Sequence, residues 1–112
     1  MTDDRLEREW TRWLEQRTVR LERGDDLGVE RQVDHTLFFN RRWHAIRAAK
    51  LIAPTRAVRV LRTHDRPRWI VEASCTEDLT DDSVRHSLEF MLTIARVCRG
   101  TYDGFGAPVV RL

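Results

Sequence analysis

The sequence predicts an α+β domain: two helices over one face of a four-stranded, mostly antiparallel sheet, with an extra amphipathic helix in front. Three observations lead there. Apolar residues recur at helical spacing around residues 6–14, 45–53 and 84–98. Between these segments lie short runs of valine, isoleucine and aromatics, some alternating with charge in the manner of half-buried strands. The 112 residues, 41% apolar with four tryptophans, suffice for a single domain with its own core.

In the first segment, "DDRLEREWTRWLEQRTVRLERGDD", Leu6, Trp10, Trp13 and Leu14 fall on one helical face. Asp4 and Glu7 resemble a capping box, and Gly24 supplies the stop. Glu7, Arg8, Arg12 and Glu15 make the opposite face charged. The tryptophan stripe must bury against the domain or against a partner, and a homodimer through Trp10 and Trp13 is one form of the latter. "GDDLGVERQ" is a polar connector. Thr36–Phe39, bounded by Asp34 and Asn40, is a run of strand formers. Asn40 is placed as the N-cap of "RRWHAIRAAKLIA", a helix with Ala45, Ile46, Ala49, Ile52 and Ala53 on its apolar face and Pro54 at its end.

"RAVRVLR" alternates, with Val58 and Val60 on one side and Arg59 on the other. "THDRPRW" is a turn, and "WIVEASC" is the returning strand of a hairpin. The longest helix follows, with Thr80 as N-cap, Leu79 and Val84 as a hydrophobic staple, and Asp81 and Asp82 at its positive end. Val84, Leu88, Met91, Leu92, Ala95 and Cys98 form its core stripe, widened by Phe90, Ile94 and Val97. Residues 1–24 are thus an N-terminal amphipathic helix. Residues 25–112 run strand–helix–strand–strand–helix–strand, the split β-α-β order of ferredoxin-like domains.

"GTYDGFGAPVV", Gly100–Val110, falls between the last helix and the end of the chain. A phosphate cradle needs glycines that open a helix, and these follow one. They are expected to form a turn, with Gly104 and Gly106 at positive φ and Tyr102 and Phe105 packed over the helix ends, leaving "APVVRL" as the last strand. Within this stretch, "YDGFG" resembles the Tyr-Asp-Gly-Trp-Gly signature of the RraB family, regulators of ribonuclease E activity. "GDDLGVERQVDHTLFF", Gly24–Phe39, is similar to that family's entry into its first strand, and the likeness spans roughly residues 24–110. The resemblance implies a ferredoxin-like sandwich and a non-catalytic protein whose partner is an endoribonuclease, bound on its scaffold region to restrain RNA decay. Tyr102, Asp103, Gly104, Phe105 and Gly106 are then the candidate protein-interaction residues.

Charged residues make up 34% of the chain, yet the net charge is only +2, which describes a mixed surface. Cys75 and Cys98 are too few for a disulfide framework and read as reduced, buried thiols. The opening "MTDDRLEREW" lacks the features of a secretory signal, and no apolar run approaches the ~20 residues that cross a bilayer, so the expectation is a soluble cytoplasmic protein. His35, His44, His64 and His86 are scattered without metal-ligand spacing, and His44 and His86 read as solvated surface residues. Ser74 and Cys75 lack an activating elbow, and Glu72, Glu77 and Asp34 need no reading beyond exposed strand charge. No catalytic residue, metal or cofactor is therefore expected. The alternative to a protein partner is RNA, stacked on Phe38, Phe39 and Trp69 over a sheet face lined by Arg59, Arg62 and Arg68.

Overall fold

A computed structural model describes residues 4–64 and 68–112. Its elements are α1 (Asp4–Glu22), β1 (Arg31–Phe39), α2 (Arg42–Ile52), β2 (Ala57–Arg62), β3 (Trp69–Glu77), α3 (Asp81–Val97) and β4 (Thr101–Gly106). The strands form one sheet in the order β2-β3-β1-β4, every neighbouring pair antiparallel. β1 and β2, joined through α2, run parallel with β3 between them. β3 and β4, joined through α3, run parallel with β1 between them. This is the split β-α-β arrangement that the element order implies. The turn "THDRPRW" falls partly on residues 65–67, outside the described residues.

Alternation along the strands sets the two faces. In β1, Arg31, Val33, His35, Leu37 and Phe39 are buried, while Gln32 and Asp34 are exposed. Register places Val33 opposite Cys75, His35 opposite Ala73 and Leu37 opposite Val71, so the buried sides of β1 and β3 coincide. β1 starts earlier than its aromatic run suggests, because Arg31 finds an ion-pair partner inside and can occupy a buried strand position.

The helices cover this face in the order α2, α3, α1. Thr80 caps α3, its hydroxyl accepting from the Ser83 amide at 3.4 Å, and the Leu79–Val84 staple is buried. The expected core stripe of α3 is buried throughout, but Val97 is 44% exposed. α2 meets the sheet through small residues, Ala45, Ala48 and Ala49, with Ile52. Its cap differs from expectation: Arg41, not Asn40, occupies the N-cap and makes no side-chain cap bond. His44 also departs from the surface reading, since it lies on the buried side of α2. α1 packs beside α3. Trp13 is 1% exposed, with its indole N–H donating to Asp81 Oδ1 at 3.0 Å and its ring 6.0 Å from that of Phe105. Of the two tryptophans on that stripe, only Trp10 retains exposed surface, with Arg85 over its ring.

The last strand corrects the sequence reading. β4 is "TYDGFG" itself, and residues 107–112 form no strand. The turn is compressed into two residues. Arg99 takes the left-handed conformation (φ 57°), and the Gly100 amide bonds back to the Ala95 carbonyl at 2.7 Å, closing a Schellman-type helix end. Gly104 has φ 99°, as expected, whereas Gly106 does not adopt positive φ. Tyr102 pairs with Leu37 and Phe105 with His35, so Asp103 and Gly104 together oppose Thr36 in a β-bulge. The extra residue brings both aromatics to the helix side of the sheet.

Gly100 and Gly104 are glycines for different reasons, which a pair of variants separates. A Cβ on Gly100 would sit 2.3 Å from the Phe39 ring and 2.8 Å from the Phe38 carbonyl oxygen, whereas one on Gly104 would meet nothing within 4 Å. Gly100→Ala is expected to lower stability by about 3 kcal/mol through steric conflict. Gly104→Ala should cost about 1 kcal/mol from backbone strain alone. Urea unfolding midpoints check both, and equal losses would contradict this account.

Candidate functional site

The "YDGFG" residues divide between interior and surface. Tyr102 is buried, Phe105 and Gly104 are partly buried, and Asp103 and Gly106 are exposed. β4 is an edge strand, and α1 lies alongside it. Between the two runs a groove of about 300 Å³ lined by Arg5, Arg8, Glu9, Arg12, Leu92, Thr101 and Tyr102. A smaller recess of about 70 Å³ continues it past Gln16 to Asp103, Gly104 and Phe105. The five residues thus supply one accessible carboxylate, a bulged backbone and two aromatics that hold the strand down.

What anchors this strand is a buried ionic knot. The carboxylate of Asp25 accepts from Arg31 Nη1 at 2.6 Å, from Arg20 Nη1 at 3.1 Å and from the Val110 amide at 3.2 Å. Other guanidinium protons reach the carbonyls of Ala107, Pro108, Asp26 and Val29, and Arg20 Nε donates to Gln16 Oε1 at 2.7 Å. Burial alone pushes the Asp25 carboxyl pKa up, but these donors and the Arg31 charge outweigh it and hold it below the usual carboxylate value. Asp26 adds a backbone bond, its amide donating to the Val110 carbonyl at 2.8 Å. "GDD" and "YDGFGAP", far apart in sequence, therefore meet in space.

A second polar cluster lies between the sheet and α3. An ionised carboxylate only accepts, so His35 donates from Nε2 to Glu77 Oε2 at 3.3 Å. His35 Nδ1 lies 2.8 Å from the Tyr102 hydroxyl, which donates to it in the neutral ring. Glu77 Oε1 accepts from Ser87 at 2.8 Å, from Arg56 Nη2 at 3.0 Å and from the Cys75 thiol at 3.1 Å. Burial would raise the Glu77 pKa, but the bonds from His35, Cys75 and Ser87 outweigh it and lower it to about 2. Burial, then the bond to the Glu77 carboxylate, pushes the Cys75 thiol up to about 11, and burial raises the Tyr102 hydroxyl further still. Cys75 is thus held as a thiol, and the nearby imidazole of His35 is committed to Glu77, the opposite of an activated nucleophile.

Other residues singled out in the sequence are not brought together. Glu77 lies on the helix side, while Glu72 and Asp34 belong to the open face. Asp34 there accepts from Ser74 at 2.6 Å, and Glu72 takes Arg59 at 2.6 Å. The expected RNA platform is not assembled either. Phe39 is buried, and Trp69 shares the helix-side register of Phe39 with Arg42 and Arg62 near its ring. Phe38 alone remains on the open face, under Arg68. Among the described residues, no three His, Cys, Asp or Glu side chains are grouped to hold a metal ion. No described helix is long and apolar enough to cross a membrane.

A family model described as Regulator of ribonuclease activity B matches residues 18–107. The chain belongs to this family. A comparison with curated protein sequences returned no match. The RraB match begins inside α1, two residues before Arg20, and ends at Ala107, whose carbonyl accepts from Arg20. The ionic knot therefore joins the two ends of the matched region and reaches past it to Pro108 and Val110. Membership implies regulation of ribonuclease activity.

Sequence reasoning passed over Arg20, Arg31, Arg56 and Ser87. A signal was available for one of them: extending the period-two pattern of β1 back from Phe39 puts Arg31 and His35 in line with Val33 and Leu37. Charged residues in phase with a buried face demand partners. Arg20, Arg56 and Ser87 carry no such mark.

The Glu77 cluster predicts a specific acid response. The ordinary carboxyl value is 4.5 and the folded value about 2, so between them the unfolded chain takes the proton more readily. Stability from this group is complete above about pH 5 and is lost as the pH falls toward 2. Glu77→Gln should remove that part of the pH dependence and, by stranding the Arg56 guanidinium, lower stability near neutrality by about 3 kcal/mol. Urea unfolding across this range checks it, and an equally steep acid loss in the variant would reassign the effect.

Proposed function

We propose that the protein is a non-catalytic regulator that binds an endoribonuclease of the ribonuclease E type and restrains its cleavage of RNA. Membership of a family of ribonuclease regulators supports this reading. So does the state of the chemically capable side chains, which are tied to one another in the interior. The observation that carries it is the use of "YDGFG" as an edge strand, paired with β1 on one side and with no described strand on the other, beside the α1 groove. An open strand edge offers backbone donors and acceptors to an extended partner segment, and flanking side chains add selectivity. Asp103 and the exposed backbone at Gly104 and Gly106 are the proposed contacts. Tyr102 and Phe105 act from beneath, holding β4 against β1.

The test combines the purified protein with a purified ribonuclease E. The expected result is co-elution of the two chains and slower cleavage of a single-stranded RNA substrate. Asp103→Lys should weaken capture by about tenfold, the equivalent of ~1.4 kcal/mol. Thr76→Lys, on the open sheet face, should leave it unchanged. Unaltered cleavage without a complex would overturn the function, and loss on Thr76→Lys alone would move the contact surface off β4.

A further inference from the structure

The net charge of +2 conceals an uneven pairing of charge along the sheet. Between Asp34 and Glu72 the sequence holds nine basic residues and one acidic one, Asp65, which lies outside the described residues. No acidic residue occurs between Glu89 and Asp103. From these stretches Arg41, Arg42, Arg62, Arg68 and Arg99 come to the end of the sheet where β1 and β2 end, β3 and β4 begin, α2 starts and α3 stops. The opposite end carries Glu30, Asp78, Asp81 and Asp82, and its arginines are paired with acids, Arg17 with Asp81, Arg31 with Asp25 and Arg56 with Glu77.

At the basic end lies a groove of about 400 Å³ lined by Arg41, Trp43, His44, Arg47, Val97 and Arg99. Trp43 is 62% exposed, the most exposed aromatic among the large apolar side chains described. Arg41, Arg47 and Arg99 are exposed and form no ion pair with a carboxylate among the described residues. His44 lines the groove at only 9% exposure, and its ring nitrogens have no hydrogen-bond partner among the described residues. α2 begins here with arginines at its N-cap and first position, no acid in its first turn and no side-chain cap. That arrangement opposes the helix dipole, which favours negative charge at this end. On the helix side of the same end, Arg42 and Arg62 also flank the Trp69 ring.

We infer that this groove binds single-stranded RNA, with Trp43 stacking an unpaired base and Arg41, Arg47 and Arg99 meeting the phosphates on either side. Charge complementarity calls for a polyanion. The choice of nucleic acid over an acidic protein segment comes from the aromatic component. An acidic peptide would satisfy the guanidiniums and leave the indole in water, whereas an unpaired base offers it a flat partner. Interleaved aromatic and guanidinium planes are how single strands are held. His44, unpartnered beside Trp43 with ring centroids 3.9 Å apart, is a donor for a base edge or phosphate oxygen. This surface lies at the far end of α2 and α3 from the ionic knot and does not depend on the endoribonuclease contact proposed at β4. A ribonuclease regulator with such a groove would hold substrate RNA as well as the enzyme.

The experiment is fluorescence anisotropy with a labelled oligouridylate of about a dozen nucleotides and the intact protein alone. Binding is expected at low salt, with log K falling against log salt at a slope of about −2, the value for roughly three phosphates on a single strand. Trp43→Ala should reduce affinity about tenfold. Arg47→Glu and Arg99→Glu should each reduce it comparably and flatten the slope. Arg59→Glu, whose parent side chain is paired with Glu72 on the open face, should retain binding. Circular dichroism verifies that each variant folds, and the two exposed arginine positions keep the test open should Trp43→Ala not fold. No binding at low salt, undiminished binding by all three groove variants, or equal competition by an RNA duplex or by polyglutamate would overturn the proposal.

Discussion

The structure depends on the carboxylate of Asp25. It is fully enclosed and accepts from two arginines and a backbone amide, each belonging to a different part of the chain. Arg20 stands in the last turn of α1, Arg31 opens β1, and Val110 lies past the end of β4. A buried charge is tolerable only when its hydrogen-bonding capacity is filled, and here both oxygens are engaged. The arginines in turn spread their remaining protons over carbonyls of the connector and of the segment after β4. Removing any one strand of the knot leaves the others as unpaired buried charge. This makes the knot cooperative, and it explains why a segment containing Pro108, with no amide to offer a sheet, is still held at a fixed place.

From that anchor the character of the β4 edge follows. The knot fixes the chain after β4, and the tight turn at Arg99 and Gly100 fixes the chain before it, where the Phe39 ring leaves no room for a side chain. Between two such constraints the six residues of β4 absorb one extra position as the Gly104 bulge. The bulge turns Tyr102 and Phe105 inward, to His35 and Trp13. It leaves Asp103 and an unpaired backbone facing outward. Edge strands ordinarily carry protection against pairing with other chains. The glycine-rich, bulged β4 has a local twist and one carboxylate, features compatible with a selective partner.

The interior polar cluster has the composition of a catalytic site and the electrostatics of a structural one. Histidine, cysteine, tyrosine, serine, glutamate and arginine all meet within hydrogen-bond distance. The carboxylate stays ionised because it accepts from four side chains, the thiol stays protonated through burial and its bond to Glu77, and the phenol stays protonated chiefly through burial. Proton transfer chemistry works best when partners are poised near the working pH. Here they are driven apart, which suits a cluster that specifies how α3 docks on β3 and β1.

The sequence by itself determined the element types, their order and therefore the split β-α-β topology. Those features are written in local periodicity, as in the α3 stripe from Val84 to Cys98 and the alternation of Val58 with Arg59. It also marked "YDGFG" and "GDD" as unusual through local composition. Only the tertiary structure decided that "YDGFG" is the strand and the following residues are not, because Tyr102 and Phe105 gain burial that Val109 and Val110 could find only by giving up the knot. It alone buried His44 and exposed Val97, choices made by the packing of α2 on α3 and not by spacing. The same holds for charge: residues scattered along the chain sum to nearly zero, and folding pairs Arg20, Arg31 and Arg56 with acids at one end of the sheet while leaving Arg41, Arg47 and Arg99 without a carboxylate partner among the described residues at the other. Periodicity reports which face of an element is apolar, but it carries no information about which distant side chains that face will meet.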